Sequence, residues 1–131
     1  MAAIPDKYKD ILNSKSASHV ATIGPKGEPQ SSPVWFAWDG QHLLFSLTKG
    51  RQKYRNLKRD SRIALSITDP KLLERYLEIR GHVVRIDEDT NLDFINSMAK
   101  KYLDLDKYPW HQPGDERVVI VVEPEHATYQ N

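Results

Sequence analysis

The stretch SHVATIGPKGEPQSSPVWFAWDGQHLLFSLT, residues 18–48, carries the clearest fold signal in the chain. Its β-branched and apolar residues form three runs, separated by the turn PKGEP and by a second turn at Asp39–Gly40. In the middle run, Val34 and Phe36 fall on one face of a strand and Trp35 falls on the other. We therefore predict three strands in a meander, the second of them covered on both faces.

The rest of the chain continues this strand pattern. Residues 61–70, SRIALSITDP, alternate cleanly, and residues 74–87, ERYLEIRGHVVRID, predict a long strand in which Gly81 marks a bulge or bend. Residues 116–130, ERVVIVVEPEHATYQ, predict a last long strand and a short terminal one. Six or seven strands with few helices indicate a mainly β fold, an antiparallel barrel, because closing the sheet removes its exposed edges.

Three segments have the spacing or punctuation of helices. Residues 5–14, PDKYKDILNS, predict a short N-terminal helix, and residues 49–60, KGRQKYRNLKRD, predict a connecting helix between two strands. Residues 88–104, EDTNLDFINSMAKKYLD, predict a helix in the C-terminal half. The apolar stripes that should pack are Ile4, Tyr8, Ile11 and Leu12 in the first helix and Leu92, Ile95, Met98, Ala99 and Tyr102 in the last.

Composition restricts the classes of protein that fit. A chain of 131 residues predicts one domain, residues 1–131, with a modest core. With 19 basic and 18 acidic residues, net charge gives no support to general nucleic-acid binding. There is no cysteine, so disulfides and thiolate metal sites are excluded. No long apolar run indicates a signal peptide or a membrane span, and we expect a soluble, cytoplasmic protein.

The basic segment, residues 49–60, concentrates six Lys and Arg side chains in a chain of net charge +1. If a helix starts near Gly50, then Lys49, Arg51, Lys53 and Asn56 lie at or near its N-terminus, where free N–H groups favour an anion. This arrangement outlines a phosphate site. A solvated helix face with intrahelical ion pairs explains the same composition, and the residues alone leave both interpretations open.

Other candidate chemistry is weaker. The five histidines lack the close spacing of a helical metal site, so no metal is expected. Ser31 and Ser32 lie in a strand without a nucleophile-elbow motif. Residues 107–116, KYPWHQPGDE, place Tyr108 and Trp110 in a loop that either covers a ligand or plugs the end of the barrel. No catalytic residue is predicted.

The order of these segments resembles the pyridoxamine 5'-phosphate oxidase-like split β-barrel superfamily, and within it the small flavin- or deazaflavin-dependent oxidoreductases. The resemblance extends from about Lys7 to about Tyr129. Its most specific pieces are P-V-W-F at residues 33–36 and K-x-R-N-L-x-x-D at residues 53–60, after a strand. It implies a split antiparallel β-barrel of the FMN-binding type.

The resemblance also implies a homodimer that binds its cofactor in a groove at the subunit interface, together with a small-molecule acceptor. Lys53 matches the family's phosphate-binding lysine, and Tyr76 and Trp110 are expected to close the ring pocket from the partner subunit. The ring is expected along Ser31, Ser32, Pro33, Val34 and Trp35, and the phosphate against Leu47, Thr48, Lys49, Arg51, Lys53 and Asn56.

Two cofactors fit this resemblance, coenzyme F-420 and FMN. The deazaflavin F-420 is preferred because its acidic tail suits the additional cations of the basic segment. The implied activity is hydride transfer to an activated double bond, as in an enone, a quinone or a tetrapyrrole-like acceptor. The alternatives are an FMN-binding oxidoreductase and a non-catalytic flavin- or deazaflavin-binding protein. Oxidation of vitamin B6 is not expected, because no arginine follows Arg117.

Overall fold

The computed structural model describes residues 4–130, and within that range the chain forms seven β-strands and three short helices. The strands are antiparallel and form one curled sheet in the order β2-β1-β5-β6-β7-β4-β3. The prediction of a mainly β split barrel is confirmed. The strands are β1 Ser18–Ile23, β2 Pro29–Val34, β3 Ala37–Trp38, β4 Leu43–Thr48, β5 Arg62–Asp69, β6 Leu72–Glu88 and β7 Arg117–Gln130. The helices are α1 Lys9–Leu12, α2 Gln52–Arg59 and α3 Asp93–Leu103, and a 3₁₀ turn, Asp6–Tyr8, precedes α1.

The predicted three-strand meander is wrong in its second half. β1 and β2 form a hairpin, but β2 ends at Val34 and the chain crosses to the opposite end of the sheet, where β3 pairs with β4. The crossing occurs at Phe36, whose side chain is fully buried. Its backbone N–H donates to the Tyr102 hydroxyl at 3.2 Å and its carbonyl accepts from Lys101 Nζ at 2.7 Å. Side chains of α3 therefore satisfy the backbone groups that a continuous strand would pair with a neighbour.

The core lies inside the curl of the sheet, where alternate strand residues point inward. The expected face of Ile63, Leu65 and Ile67 on β5 is buried, which confirms that prediction. β4 buries Leu43, Phe45 and Leu47, and β7 buries Val118, Ile120 and Val122 against them. The N-terminal stripe packs on the same core through Tyr8, Ile11 and Leu12.

The bend predicted at Gly81 is confirmed. The pairing of β6 with β7 shifts register between Arg80 and Gly81, and a Cβ on Gly81 would lie 2.0 Å from the Glu123 carbonyl oxygen. Only glycine permits this approach of two backbones. The predicted break before a short terminal strand is wrong, because β7 runs unbroken past Pro124. Beyond Val122, β7 pairs with β6 alone, so a residue without an N–H is tolerated beside the bulge.

The helix predicted within residues 88–104 is confirmed as α3. The Asp89 carboxylate, which is buried, accepts hydrogen bonds from the N–H groups of Phe94 and Ile95, both at 3.0 Å. This satisfies two of the N–H groups that a helix start leaves free. Ile95, Met98 and Ala99 are buried, as the stripe predicted. No helix in residues 4–130 combines the length and apolar character needed to cross a membrane.

Candidate functional site: a pocket with cationic and aromatic walls

A pocket of about 570 Å³ opens between β2, β4, the start of α2, the buried face of α3 and the loop that follows α3. This volume is typical of small-molecule sites, which span about 300–1,000 Å³. Its lining consists of Ala17, Ser32, Pro33, Val34, Trp35, Ser46, Leu47, Thr48, Arg51, Lys53, Ile95, Met98, Tyr108, Trp110 and Arg117.

One wall is cationic because α2 starts beside β2. Arg51 is the N-cap residue of α2, and its N–H donates to the Thr48 carbonyl at 3.1 Å, which turns the chain from β4 into the helix. Lys53 lies in the first turn of α2 and donates from Nζ to Ser32 Oγ at 2.5 Å. Partial burial, and then the positive charge of Arg51, lower the pKa of Lys53. Two cations thus share one end of the pocket, which favours an anion there.

The other cations of the basic segment have different roles. Lys49 Nζ lies 2.9 Å from Glu88 Oε2, and this hydrogen bond raises the pKa of Lys49. Arg55 donates to the Gly50 carbonyl at 3.0 Å, and Arg59 donates to the Ile23 carbonyl at 2.8 Å. Lys58 is exposed. Of the six basic residues of this segment, only Arg51 and Lys53 line the pocket.

Asn56 lies in the second turn of α2, on the buried side of the helix, rather than at its N-terminus. It is fully buried, and its Nδ2 donates to Thr22 Oγ1 at 3.0 Å and to Gln30 Oε1 at 3.1 Å. Together with the buried Leu57, it fixes the rotation of α2 on the β1–β2 hairpin. Its structural role is to hold the helix that presents Lys53.

The facing wall is aromatic. Trp35 lies parallel to Tyr102, with ring centroids 5.1 Å apart and planes 6° apart. On the pocket side, the ring centroid of Trp35 lies 6.1 Å from that of Tyr108, which meets it edge-on, and 6.3 Å from that of Trp110. Tyr108 is held by its N–H, which donates to Asn96 Oδ1 at 2.8 Å. The loop after α3 therefore lines the pocket, and its role in covering a ligand stays a prediction.

Behind this wall, α3 supplies two polar side chains that reach the chain crossing at Phe36. The Tyr102 hydroxyl donates to the Ser16 carbonyl at 2.8 Å, and partial burial raises its pKa. Lys101 Nζ lies 4.4 Å from the centroid of the Phe36 ring, and partial burial lowers the pKa of Lys101 to about 8. These contacts hold Trp35 against the pocket.

Sequence reasoning missed two polar residues of the pocket. Arg117, at the start of β7, lies opposite Thr48 in the register and donates from Nη1 to Ser46 Oγ at 3.3 Å. Its guanidinium carbon lies 4.6 Å from the centroid of the Tyr108 ring. A serine within the apolar run LLFSLT was a signal for Ser46. An arginine at the end of a strand is ordinary, so Arg117 gave no such signal.

The sequence profile described as pyridoxamine 5'-phosphate oxidase matches residues 4–131, which is nearly the whole chain. The chain belongs to the pyridoxamine 5'-phosphate oxidase family. Among solved structures, an "F420 Reductase" is 40% identical, with a TM-score of 0.87, over 97% of this chain and 100% of that chain.

Two more distant structures share the fold of this family member. A conserved hypothetical protein from Mycobacterium tuberculosis is 22% identical, with a TM-score of 0.76, over 99% of this chain and 86% of that chain. General Stress Protein 26 from Bacillus anthracis is 21% identical, with a TM-score of 0.70, over 95% of this chain and 91% of that chain. At these identities the likeness concerns the fold alone.

In this member of the pyridoxamine 5'-phosphate oxidase family, the structure brings most of the predicted site residues to one pocket. Those that line it are Ser32, Pro33, Val34, Trp35, Leu47, Thr48, Arg51, Lys53 and Trp110. Ser31, on β2, is exposed and lies outside the lining. Lys49 and Asn56 lie outside the lining, held by the contacts described above.

Two residues, Trp110 and Tyr76, are expected to act from a partner subunit. Trp110 lines the pocket of its own chain, with 56% of its surface exposed at the rim. In its own chain the loop after α3 folds back against Trp35, and the role of Trp110 across an interface stays a prediction. Tyr76 lies on β6, paired with Thr68 and Gln130, and its role across an interface stays a prediction.

Proposed function

We propose that the protein is an oxidoreductase that binds coenzyme F-420 in this pocket and reduces a small acceptor with an activated double bond. The observation that carries the proposal is the proximity of Arg51 to Lys53, which donates to Ser32 Oγ, at one end of a pocket whose other wall is aromatic. Within residues 4–130, neither cation has a carboxylate within 4.0 Å. Two adjacent cations without acidic partners favour a ligand that brings the negative charge.

The lining fits a molecule with a phosphate and a planar ring. Arg51, Lys53 and the Ser32 hydroxyl are the groups that would hold the phosphate. The apolar segment Pro33–Trp35, with Ile95 and Met98 from α3, offers a surface for the ring and excludes water from it. This separation of the charged from the apolar lining supports a ligand of that kind.

The choice of F-420 over FMN rests on the similarity to the F420 reductase. The argument from additional cations is weaker than the sequence suggested. Arg55 and Arg59 are bound to backbone carbonyls, and Lys49 is paired with Glu88. FMN, which has a phosphate and a similar ring, is the second candidate.

When bound, the reduced deazaflavin supplies the hydride equivalent for the acceptor, so the chain needs no covalent nucleophile of its own. The contribution of the chain is to orient the ring and the acceptor and to keep water away. Among the described residues that line the pocket there is no carboxylic acid and no histidine. This composition suits an enzyme whose catalysis comes from positioning rather than from acid–base groups.

We also propose that the working unit is a homodimer in which the partner subunit covers the open side of the pocket. Trp110 at the rim is 56% exposed, and a second subunit would bury it. Light scattering should give twice the chain mass, and a monomeric mass in the presence of cofactor would overturn this part of the proposal.

The direct test is a titration of the purified protein with F-420 and, separately, with FMN, followed by cofactor fluorescence. Tight F-420 binding with weak FMN binding supports the proposal, and the reduced complex is then mixed with quinone and enone acceptors. Preference for FMN would reassign the cofactor. Binding without turnover of any acceptor would indicate a cofactor-binding protein, and binding of neither would overturn the proposal.

A further inference from the structure

Arg117 is a charged residue on the pocket wall with a role separate from that of Arg51 and Lys53. It opens β7 opposite Thr48, and strand alternation places it on the same face as Ser46 and Thr48 of β4. The two pocket-lining residues of β4 on either side of the buried Leu47, Ser46 and Thr48, both carry hydroxyl groups. The Arg117 guanidinium lies beside them.

The guanidinium of Arg117 is incompletely satisfied. Its Nε is buried and has no hydrogen-bond partner among residues 4–130. Its contacts in that range are the Ser46 hydroxyl at 3.3 Å and the face of the Tyr108 ring at 4.6 Å, both of them uncharged groups. The carboxylates of Glu116 and Glu88, which flank the start of β7, form ion pairs with Lys49 instead.

An arginine remains charged at every physiological pH, so it cannot avoid this environment by losing a proton. Arg117 is half-buried, so its charge without a counter-charge is partly desolvated, and its buried Nε donor without an acceptor destabilises the folded protein. The presence of such a destabilising residue on the wall of a cavity is explained if a bound ligand accepts its hydrogen bonds.

We propose that Arg117, with Ser46, is a second oxygen-recognition point of the pocket, distinct from the Arg51–Lys53 end. It binds an anionic or strongly electronegative oxygen, such as a carboxylate, an enolate or a conjugated carbonyl. The planar N–H groups of a guanidinium suit two such contacts at once. The inference rests on the proposed function in one respect, namely that a redox cofactor and its acceptor occupy the pocket, and the oxygen belongs to one of them.

A purely structural role of Arg117 and a ligand-binding role predict different changes in the stability of the ligand-free protein when its charge is removed. If Arg117 served only to brace Tyr108, removing its charge would lower the unfolding temperature of the ligand-free protein. If it serves a ligand, Arg117→Met leaves that temperature unchanged or raises it, because methionine preserves the apolar stem and removes the unpaired charge. Arg85→Met is the control, since Arg85 also lies on a strand, β6, but is paired with Asp87 at 2.9 Å on the surface.

The experiment compares the wild type, Arg117→Met, Arg117→Lys and Arg85→Met. Equilibrium dissociation constants are measured for F-420 and FMN, and KM values for 1,4-naphthoquinone and its 2-sulfonate. A tenfold or larger rise in the cofactor dissociation constant in Arg117→Met assigns the oxygen to the cofactor. An unchanged cofactor constant, with a tenfold rise in KM for the sulfonate, for the neutral quinone or for both, assigns it to the acceptor. Arg117→Lys should recover part of the loss.

Equal constants in the wild type and Arg117→Met for all of these molecules would overturn the inference, and so would a lowered unfolding temperature that accounts for the loss. If the wild type binds neither cofactor, the proposed function fails. In that case, the aromatic sulfonate 8-anilino-1-naphthalenesulfonate is the probe for Arg117. A tenfold weaker affinity in Arg117→Met than in Arg85→Met supports the recognition point, and equal affinity rejects it.

Discussion

Trp35 on the pocket wall and Tyr102 on α3 are stacked in parallel, with ring centroids 5.1 Å apart. The Tyr102 hydroxyl accepts the N–H of Phe36 at 3.2 Å and donates to the Ser16 carbonyl at 2.8 Å. A helix that follows the long strand β6 thus determines where the aromatic wall lies, even though Tyr102 itself does not line the pocket.

Tyr102→Phe preserves the stacked ring and removes the hydroxyl. We expect a loss of about 1–3 kcal/mol in the free energy of unfolding, because the Phe36 N–H and the Ser16 carbonyl lose their partner. Chemical denaturation measures this loss. Tyr108→Phe is the control, since its hydroxyl makes no hydrogen bond to the described residues, 4–130. Equal stabilities of the two variants would show that the Tyr102 hydroxyl does not hold the crossing.

Lys101 should make stability depend on alkaline pH. Burial lowers its pKa in the folded protein to about 8, whereas the usual value is 10.5. Between these values the unfolded chain retains a proton that the folded chain has released, so stability rises with pH. Because Lys101 is only partly buried, solvent screening reduces this effect, and the free energy of unfolding should rise by about 1–2 kcal/mol.

The measurement for Lys101 is the difference in unfolding free energy between the wild type and Lys101→Met from pH 7 to pH 10. Lys53, whose pKa is also lowered, is common to both proteins and cancels. Tyr102, whose phenol pKa is raised, is likewise common to both proteins and cancels. Parallel curves would contradict the prediction.

Lys53→Ala should weaken cofactor binding by about 1.5–3 kcal/mol, or roughly 10- to 150-fold, because a charge-assisted contact to the phosphate is lost. Lys58→Ala, on the exposed face of the same helix, is the matched control and should bind like the wild type. Fluorescence titration gives both constants. Equal losses in the two variants would mean that general positive charge, rather than a defined contact, attracts the ligand.

Asn56→Ala should reduce the stability of the protein more than it reduces cofactor affinity. Thr22 and Gln30 would lose the buried amide between them, at about 1–3 kcal/mol of unfolding free energy. Asn13→Ala, at an exposed site, should cost less than about 0.5 kcal/mol. Well below the unfolding temperature, cofactor affinity should fall less in Asn56→Ala than in Lys53→Ala. A larger loss of cofactor affinity in Asn56→Ala than in Lys53→Ala would instead assign Asn56 to the phosphate site.

Gly81→Ala should destabilise the protein by about 1–3 kcal/mol or more, because the added methyl meets the Glu123 carbonyl. Gly50→Ala is the comparison, since no atom lies within 4 Å of the Cβ position there. Thermal unfolding separates them. Similar unfolding temperatures would show that the β6–β7 bulge adjusts at little cost.

Much of this fold could be read from neighbouring residues. The alternation of Ile63, Leu65 and Ile67 predicted their burial on β5, and the stripe of Ile95, Met98 and Ala99 predicted the buried face of α3. Gly81 predicted the bulge. These features depend on the period of a strand or a helix and on backbone chemistry, which a few consecutive residues are enough to specify.

The sequence by itself determined most of the strands, the helices and the presence of a basic segment at α2, because each depends on local periodicity. It did not determine the break between β2 and β3 or the unbroken course of β7. Only the tertiary structure decided which side chains share the pocket. Arg117 meets Ser46 across 71 positions of sequence, and the rotation of α2 directs Lys53 to the pocket and Asn56 to the core. Such placements depend on the pairing of distant strands and on about 100° of rotation per helical residue, neither of which a short run of sequence specifies.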